Sequence, residues 1–522
     1  MATKQELLEL LESLEKSEKQ AITLERNKKK TDHNYIVLYD WIEKHLKGNL
    51  GDYNRDNFLE SIGNSWKLRK LQTAEQVLYD KILEILSFKY LGKNSITLLN
   101  QRLAEADILK NKGFYNGSLE RLKKAEDIAY DHHKYALLME ILPKKIDVIL
   151  LTRHAGRKEK VKGLSNQLKR ATKILQQEAE YRSLNVNLLV QYQESRNPDN
   201  IPNPLKEDYF SIINRDFPNS GSFYSQYYFY STQAIWNTLH KNTTLAYENQ
   251  RKVVDLWQEV KDVKKENTQL YLTQLANLIN YAVIDRNFMG AQAAILLMEQ
   301  VKTQNKDEEA EKTQNLLFYK QYLLLNENKF EEAKKLVPSI TALLAPTGQI
   351  EVGDVKELKG KAKKTYEENQ RRIIHYKRVN PSRLYNFHYN TLITLLLCDK
   401  QYVEANKWLK RLVSLYKGTD LRKDIQQLAR VFQLVINYGL KSDEFSNEMF
   451  KKLYNTKKVK QPLIPFEQIL YDFFKEMTST PSYTQRRDKH LKVLLNKLEA
   501  LENKDQKVLG YEDIILWIKK YV

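Results

Sequence analysis

The sequence predicts an all-α protein: an α-solenoid of stacked antiparallel helix pairs behind an N-terminal helical domain. Three observations carry this. Gly (16) and Pro (11) are scarce among 522 residues, whereas β-sandwiches, propellers and doubly wound α/β folds need many tight turns, for which Gly supplies positive φ and Pro a preset φ. Apolar residues recur at helical spacing, and 29% of the residues are charged, which suits the solvated faces of amphipathic helices. Finally, one pattern of aromatic, small and aliphatic residues returns four times.

The elements follow in order. Leu7, Leu8, Leu11 and Leu14 make a first apolar stripe, and Ser17 to Gln20 has the form of a capping box, a hydroxyl at the start and an amide three residues on. Tyr35, Leu38, Tyr39 and Ile42 make a second stripe, and Leu78, Ile82, Leu83 and Ile85 a third, with Gly48 and Gly51 between them. Residues 1–92 therefore read as an N-terminal helical domain. Residues 93–345 read as helical repeats interrupted at 197–219, where Pro198, Pro202, Pro204 and Pro218 predict a loop. Pro346 to Gly360, with Gly348 and Gly353, joins this stretch to residues 346–522, read as further helical repeats and a C-terminal helical cap.

The fourfold pattern aligns on Tyr115, Phe288, Phe330 and Tyr402. Three positions on come Ser118, Ala291, Ala333 and Ala405; seven on, Leu122, Ile295, Val337 and Leu409; ten on, Ala125, Met298, Ile340 and Leu412. The aromatic fills the elbow between two antiparallel helices, and the small residue lets their backbones approach. The aliphatics face the next pair, because one pair cannot bury its apolar face alone.

This pattern resembles the turn and second helix of the tetratricopeptide repeat (TPR) family, in degenerate form. Ala106, Ile279, Gln321 and Ile393 stand where that family has a first-helix glycine, and its closing proline is missing. Phe288 and Phe330 lie 42 residues apart and Phe330 and Tyr402 lie 72 apart, not multiples of the family's period of about 34. The segments SEKQ and NYIVLYDWI and the closing YEDIILWIKKYV also resemble a family of all-helical Bacteroidota proteins, which implies no function. The TPR resemblance implies a concave surface lined by the first helix of each pair. Carried over, it places Asn100, Asp107 and Asn111 there, then Thr273 and Asn280, then Asn315, Tyr322 and Asn326, then Asn390. Recurrent Asn suits an extended peptide, since its amide both donates and accepts. Leu103 and Asp107 depart from the Lys and Asn of the family's clamp for chaperone C-termini, which disfavours that partner.

Lys and Arg number 85 against 66 Asp and Glu, a net charge of +19. Such a surplus attracts polyanions, although solvated helix faces in a Lys-rich composition carry the same charge without a partner. The local clusters are Arg26 to Lys30, Arg153 to Lys173, Lys359 to Arg378, Lys451 to Lys460 and Arg486 to Lys492. Lys364, Arg371 and Arg378 recur every seven residues, so with Lys361 they form a candidate strip for phosphates. Aromatics run through Phe223 to Tyr230 and through Arg371 to Tyr389. They fit either base stacking or helix–helix packing.

No phosphate-binding loop, dinucleotide fingerprint, zinc motif or nucleophile elbow occurs. Adjacent His132 and His133 point about 100° apart on a helix and cannot easily share a metal. Arg383 and His388 fit the loose Arg-x4-6-His motif of HEPN-type ribonucleases, but Leu384 stands where that family has a polar residue. No catalytic residue, metal or cofactor is therefore expected. A single cysteine, Cys398, permits no intrachain disulfide. Met1 to Leu14 lacks the apolar core of a signal peptide, and no run of about 18 apolar residues occurs. The expectation is a cytoplasmic, non-catalytic scaffold or regulator that holds a peptide or protein in a concave helical groove, with no membrane partner. The alternative is binding of RNA or another polyanion through a basic face. Oligomeric state is not legible.

Overall fold

The computed structural model describes residues 4–28, 33–46, 53–92, 94–152, 156–194, 198–213, 222–344, 381–398, 401–415, 423–440, 465–478, 487–501 and 510–522. These are helical throughout, with no strand among the described residues. The chain opens with α1 (Lys4–Ser13), α2 (Lys16–Lys28), α3 (Asn34–Leu46), α4 (Arg55–Ser61) and α5 (Leu68–Tyr90). Next come α6 (Ser95–Asn111), α7 (Tyr115–Asp131), α8 (Tyr135–Leu151) and the long α9 (Arg157–Glu194). Then follow α10 (Asn203–Ile213), α11 (Phe223–Leu239), α12 (Thr243–Glu259), α13 (Lys261–Glu266), α14 (Thr268–Ile284) and α15 (Phe288–Glu299). The rest is α16 (Lys306–Asn326), α17 (Phe330–Lys335), α18 (Val337–Leu344), α19 (Pro381–Leu397), α20 (Tyr402–Leu415), α21 (Lys423–Leu440), α22 (Pro465–Thr478), α23 (Arg487–Glu499) and α24 (Tyr511–Lys519).

One elbow recurs. The aligned aromatics Tyr115, Phe288, Phe330 and Tyr402 are each the first residue of a helix. Where the preceding turn is described, the residue two positions earlier has positive φ: Gly113 (80°), Arg286 (56°) and Asn328 (60°). The amide of the next residue reaches back five positions, Phe114 to Leu109 (2.9 Å), Asn287 to Ala282 (2.8 Å) and Lys329 to Leu324 (2.8 Å). These are Schellman caps, which satisfy the last carbonyls of one helix while turning the chain into the next. His133 (53°) and Lys241 (59°) make the same turn before α8 and α12, with Lys134 bonded to Ala129 and Asn242 to Asn237. Helices of 17 residues recur as well: α6, α7, α8, α11, α12, α14 and α19.

Each elbow lets consecutive helices pack side by side, α6 on α7, α14 on α15, α19 on α20. The small residues Ser118, Ala291, Ala333 and Ala405 are buried, as are Ala125, Met298, Ile340 and Leu412. Ser118 also donates its hydroxyl to the Ala106 carbonyl across the α6–α7 contact (2.9 Å). Gln321, in the glycine position, is buried and donates to the Thr391 and Thr394 hydroxyls of α19 (3.3 Å each). The missing glycine is thus replaced here by a buried polar bridge.

The chain divides into two units, residues 1–182 with 216–225, and residues 183–215 with 226–522. The first holds two cores. One runs from Leu7 to Ile82 around Leu38, Phe58 and Leu71, and so lies within the expected 1–92 domain; the other runs from Leu99 to Ala171. In the second unit a core built on Trp408, Phe432, Phe474 and Trp517 extends from Ile340 to Ile518. It crosses the boundary expected at 345/346, because α16, α17 and α18 pack on α19.

Two local expectations need correction. The 197–219 stretch is not all loop: α10 occupies Asn203–Ile213, since Pro204 falls in the first turn, where a missing N–H costs nothing. The cap of α2 falls two residues before Ser17. Glu18 accepts from the Glu15 amide (2.6 Å), and Ser17 accepts from Lys89 (2.7 Å) instead. The aromatic run from Phe223 packs rather than opens to solvent. Phe223, Tyr227 and Phe229 are buried, and Tyr227 accepts from Gln274 (3.0 Å).

Candidate functional site

The strongest candidate lies in the second unit, on α14 and α16. Ten positions of α14 are buried, among them Tyr271, Leu275, Ile279 and Val283. What remains open is one sector of about 120°, carrying Gln269, Thr273, Asn277, Asn280, Tyr281 and Ile284. α14 is held by neighbours on the rest of its circumference, α12, α15 and α16. On α16, Glu311, Asn315, Tyr319, Tyr322 and Asn326 share one stripe, at i, i+4, i+8, i+11 and i+15.

Tyr281, Tyr319 and Tyr322 each keep some solvent exposure. Burial nevertheless pushes the Tyr281 and Tyr319 phenols up to about 12 and raises Tyr322. Tyr192, from the end of α9, adds to the upward shift of both Tyr281 and Tyr322, so the phenols of α9, α14 and α16 are near neighbours. Burial also raises Glu311, opposed by the Arg383 guanidinium of α19 and by a hydrogen bond from Gln269. Arg383 acts on Tyr319 as well. The surface therefore combines phenols and amides with a carboxylate, Glu311, in the field of Arg383, a set that can stack on side chains and bond a peptide backbone.

The predicted residues fall in three groups. Thr273, Asn280 and Tyr322 are partly exposed and lie on these stripes, and Asn326 is exposed at the end of α16, with its amide on the Tyr322 carbonyl (2.8 Å). Asn315 and Asn390 are buried instead, because α16 and α19 are packed on more than one side. Asn315 is 0% exposed and neither amide atom has a hydrogen-bond partner; the Asn390 nitrogen also lacks one. Asn100, Asp107 and Asn111 belong to the first unit; Asn100 and Asn111 are exposed, and Asp107 pairs with Lys144 of α8 (2.7 Å). Sequence reasoning missed Gln269, Asn277, Tyr281, Glu311 and Tyr319, and weighed Arg383 only as part of the ribonuclease-like motif. Lys361, Lys364, Arg371 and Arg378 lie outside the described residues.

Arg383 and His388 are not brought together. Five residues apart on α19 they point about 140° away from each other. His388 is buried against Trp408, ring centroids 5.2 Å apart, and its Nδ1 bonds the Leu384 carbonyl (2.8 Å). Burial lowers its pKa to about 4. Cys398 is buried and burial pushes its thiol up to about 12, the opposite of an activated nucleophile. Among the described residues no three His, Cys, Asp or Glu side chains gather to hold a metal. Among them, too, no helix is long and apolar enough to cross a membrane. No family model, curated protein or solved structure matches the chain.

Proposed function

We propose that the protein is a non-catalytic scaffold or regulator, built as a TPR-like solenoid, that holds a peptide or protein segment against α14 and α16. The observation that carries this reading is the set of partly exposed phenols on these two helices, Tyr281, Tyr319 and Tyr322. They supply rigid contact area at low entropic cost, as aromatic anchors do at interfaces. Thr273, Asn277 and Asn280 flank them and pair with backbone amides and carbonyls of an extended segment.

Peptide phage display on the immobilised full-length chain tests this. Enriched peptides should bind in solution and lose tenfold or more in affinity to Tyr322→Ala and to Asn280→Arg, both at partly exposed positions. A display that enriches nothing, or peptides indifferent to both substitutions, overturns it.

A further inference from the structure

The first unit carries a charged surface that the peptide reading does not use. In the N-terminal half of α9, Arg157, Lys158, Lys160, Lys162, Lys169, Arg170 and Lys173 are all exposed, against one acid, Glu159. None of the seven forms an ion pair among the described residues. On the neighbouring helices several cations are matched: Arg102 and Arg121 with Glu105, Lys144 with Asp107, Lys145 with Glu126. Plain solvation would scatter both signs over every face. Here one helix face is left positive.

The phase of these residues matters. Lys158, Lys162, Lys169 and Lys173 fall within a sector of about 60°, on the side away from buried Leu164 and Ala171. They span about 22 Å along the axis. Aromatic rings from α7 and α8 lie near Arg170, at the flank of this face. Tyr130 is exposed and Tyr135 partly exposed, their rings edge to face at 6.3 Å. The Arg170 guanidinium lies close enough to both phenols to oppose the upward shift that burial gives them. Lys134 stands 5.4 Å over the Tyr224 ring. The acids close by are Glu126, which pairs with Lys145 and adds to the upward shift of Tyr130, Glu178, which takes the Ser222 hydroxyl (3.4 Å), and Asp131 beside His133.

We propose that this face of α9, with Tyr130 and Tyr135, binds single-stranded nucleic acid. The lysine ladder tracks the phosphates, and the tyrosines offer ring faces to unstacked bases beside Arg170. A lipid surface does not fit, because the apolar residues of this half-helix, Val161, Leu164, Leu168 and Ala171, are turned into the protein or half-covered, which leaves nothing to insert among acyl chains. A duplex does not fit either, since its bases are already stacked on one another.

Fluorescence anisotropy on the full-length chain, with labelled oligo(U) and oligo(dT) of about a dozen nucleotides, tests this. Binding at low salt should weaken with a log–log slope near −3, four contacts at about −0.7 each. Lys158→Gln, Lys162→Gln, Lys169→Gln and Lys173→Gln together should flatten the slope and cost tenfold or more. Tyr130→Ala should cost about 5- to 150-fold with the slope unchanged, and Tyr130→Phe should restore binding, because stacking needs the ring and not the hydroxyl. Four results overturn the proposal: no binding at low salt, equal binding by the fourfold variant, duplex DNA and anionic vesicles competing as well as the single strand, or binding lost with the lysines but indifferent to Tyr130→Ala, since that is bare charge attraction.

Discussion

His388 shows how one buried side chain sets a pH response. Burial lowers its folded pKa to about 4, from an ordinary 6.5. Between those values the unfolded chain binds the proton and the folded chain does not, so stability rises with pH. The contribution is complete above about pH 6.5 and is lost as pH falls toward 4, on the order of 3 kcal/mol. Buried Asp513, under the Tyr389 hydroxyl, is raised by burial and has the opposite sign: it favours folding as pH falls. A difference measurement separates them. His388→Gln should lose less stability than the parent chain between pH 7 and 4.5, by chemical denaturation; parallel losses would contradict the assignment. A second residue-scale expectation concerns Ala333, which is wholly buried at the α17 elbow. Ala333→Arg forces a charge and a long side chain into that contact and should cost about 3 kcal/mol. Its exposed neighbour Glu332→Arg should stay within about 0.5 kcal/mol. Equal melting temperatures for the two variants would sink the packing argument.

The elbow is the element-scale unit, and its energetics predict substitutions of opposite sign at equivalent positions. Gly113 and Arg286 both precede an aromatic helix start by two residues and both have positive φ. Arg286 bears the steric cost of that conformation, so Arg286→Gly should stabilise or be neutral, by up to about 1 kcal/mol. Gly113→Ala should destabilise by about 1 kcal/mol, although no atom stands in the way of its added methyl. Urea melts of the two variants shifting in the same direction would contradict this. The elbow also explains what the sequence could and could not disclose. Four elbows were legible because an aromatic begins the next helix and a small residue follows. Those before α8 and α12 were not, because Leu138 stands three positions after Tyr135 where the pattern has a small residue, and α12 begins at Thr243 rather than at an aromatic, while the Schellman bonds themselves are made by the backbone and tolerate His133 or Lys241. The positions carried over from the repeat family put Thr273, Asn280 and Tyr322 where side chains are partly exposed. They also put Asn315 and Asn390 in a groove, whereas both are buried, since their burial depends on helices that pack over them from far along the chain. Tyr281 and Tyr319 were missed because they fall outside the positions carried over from the family.

At the scale of the whole molecule the net charge of +19 dominates the long-range electrostatics. The exposed ion pairs, such as Lys124 with Glu120 and Lys407 with Glu404, are of the kind worth about 0–1 kcal/mol each. Salt screens these modest attractions, but it also screens the repulsion among unmatched cations such as those of α9, and repulsion acts between every pair of like charges within about 10 Å at 0.1 M salt. A chain with a surplus of one sign therefore has more to gain from screening than to lose. Raising NaCl from 50 to 500 mM should lift the melting temperature by about a degree or more. The gain should shrink in the fourfold lysine-to-glutamine variant of α9, where part of the repulsion is already removed. Sodium chloride and potassium glutamate should act alike if screening is the cause, since screening depends on ionic strength and not on the identity of the anion. A melting temperature that falls with salt would mean that the ion pairs outweigh the surplus, and that the positive face of α9 is balanced by acids elsewhere in the fold.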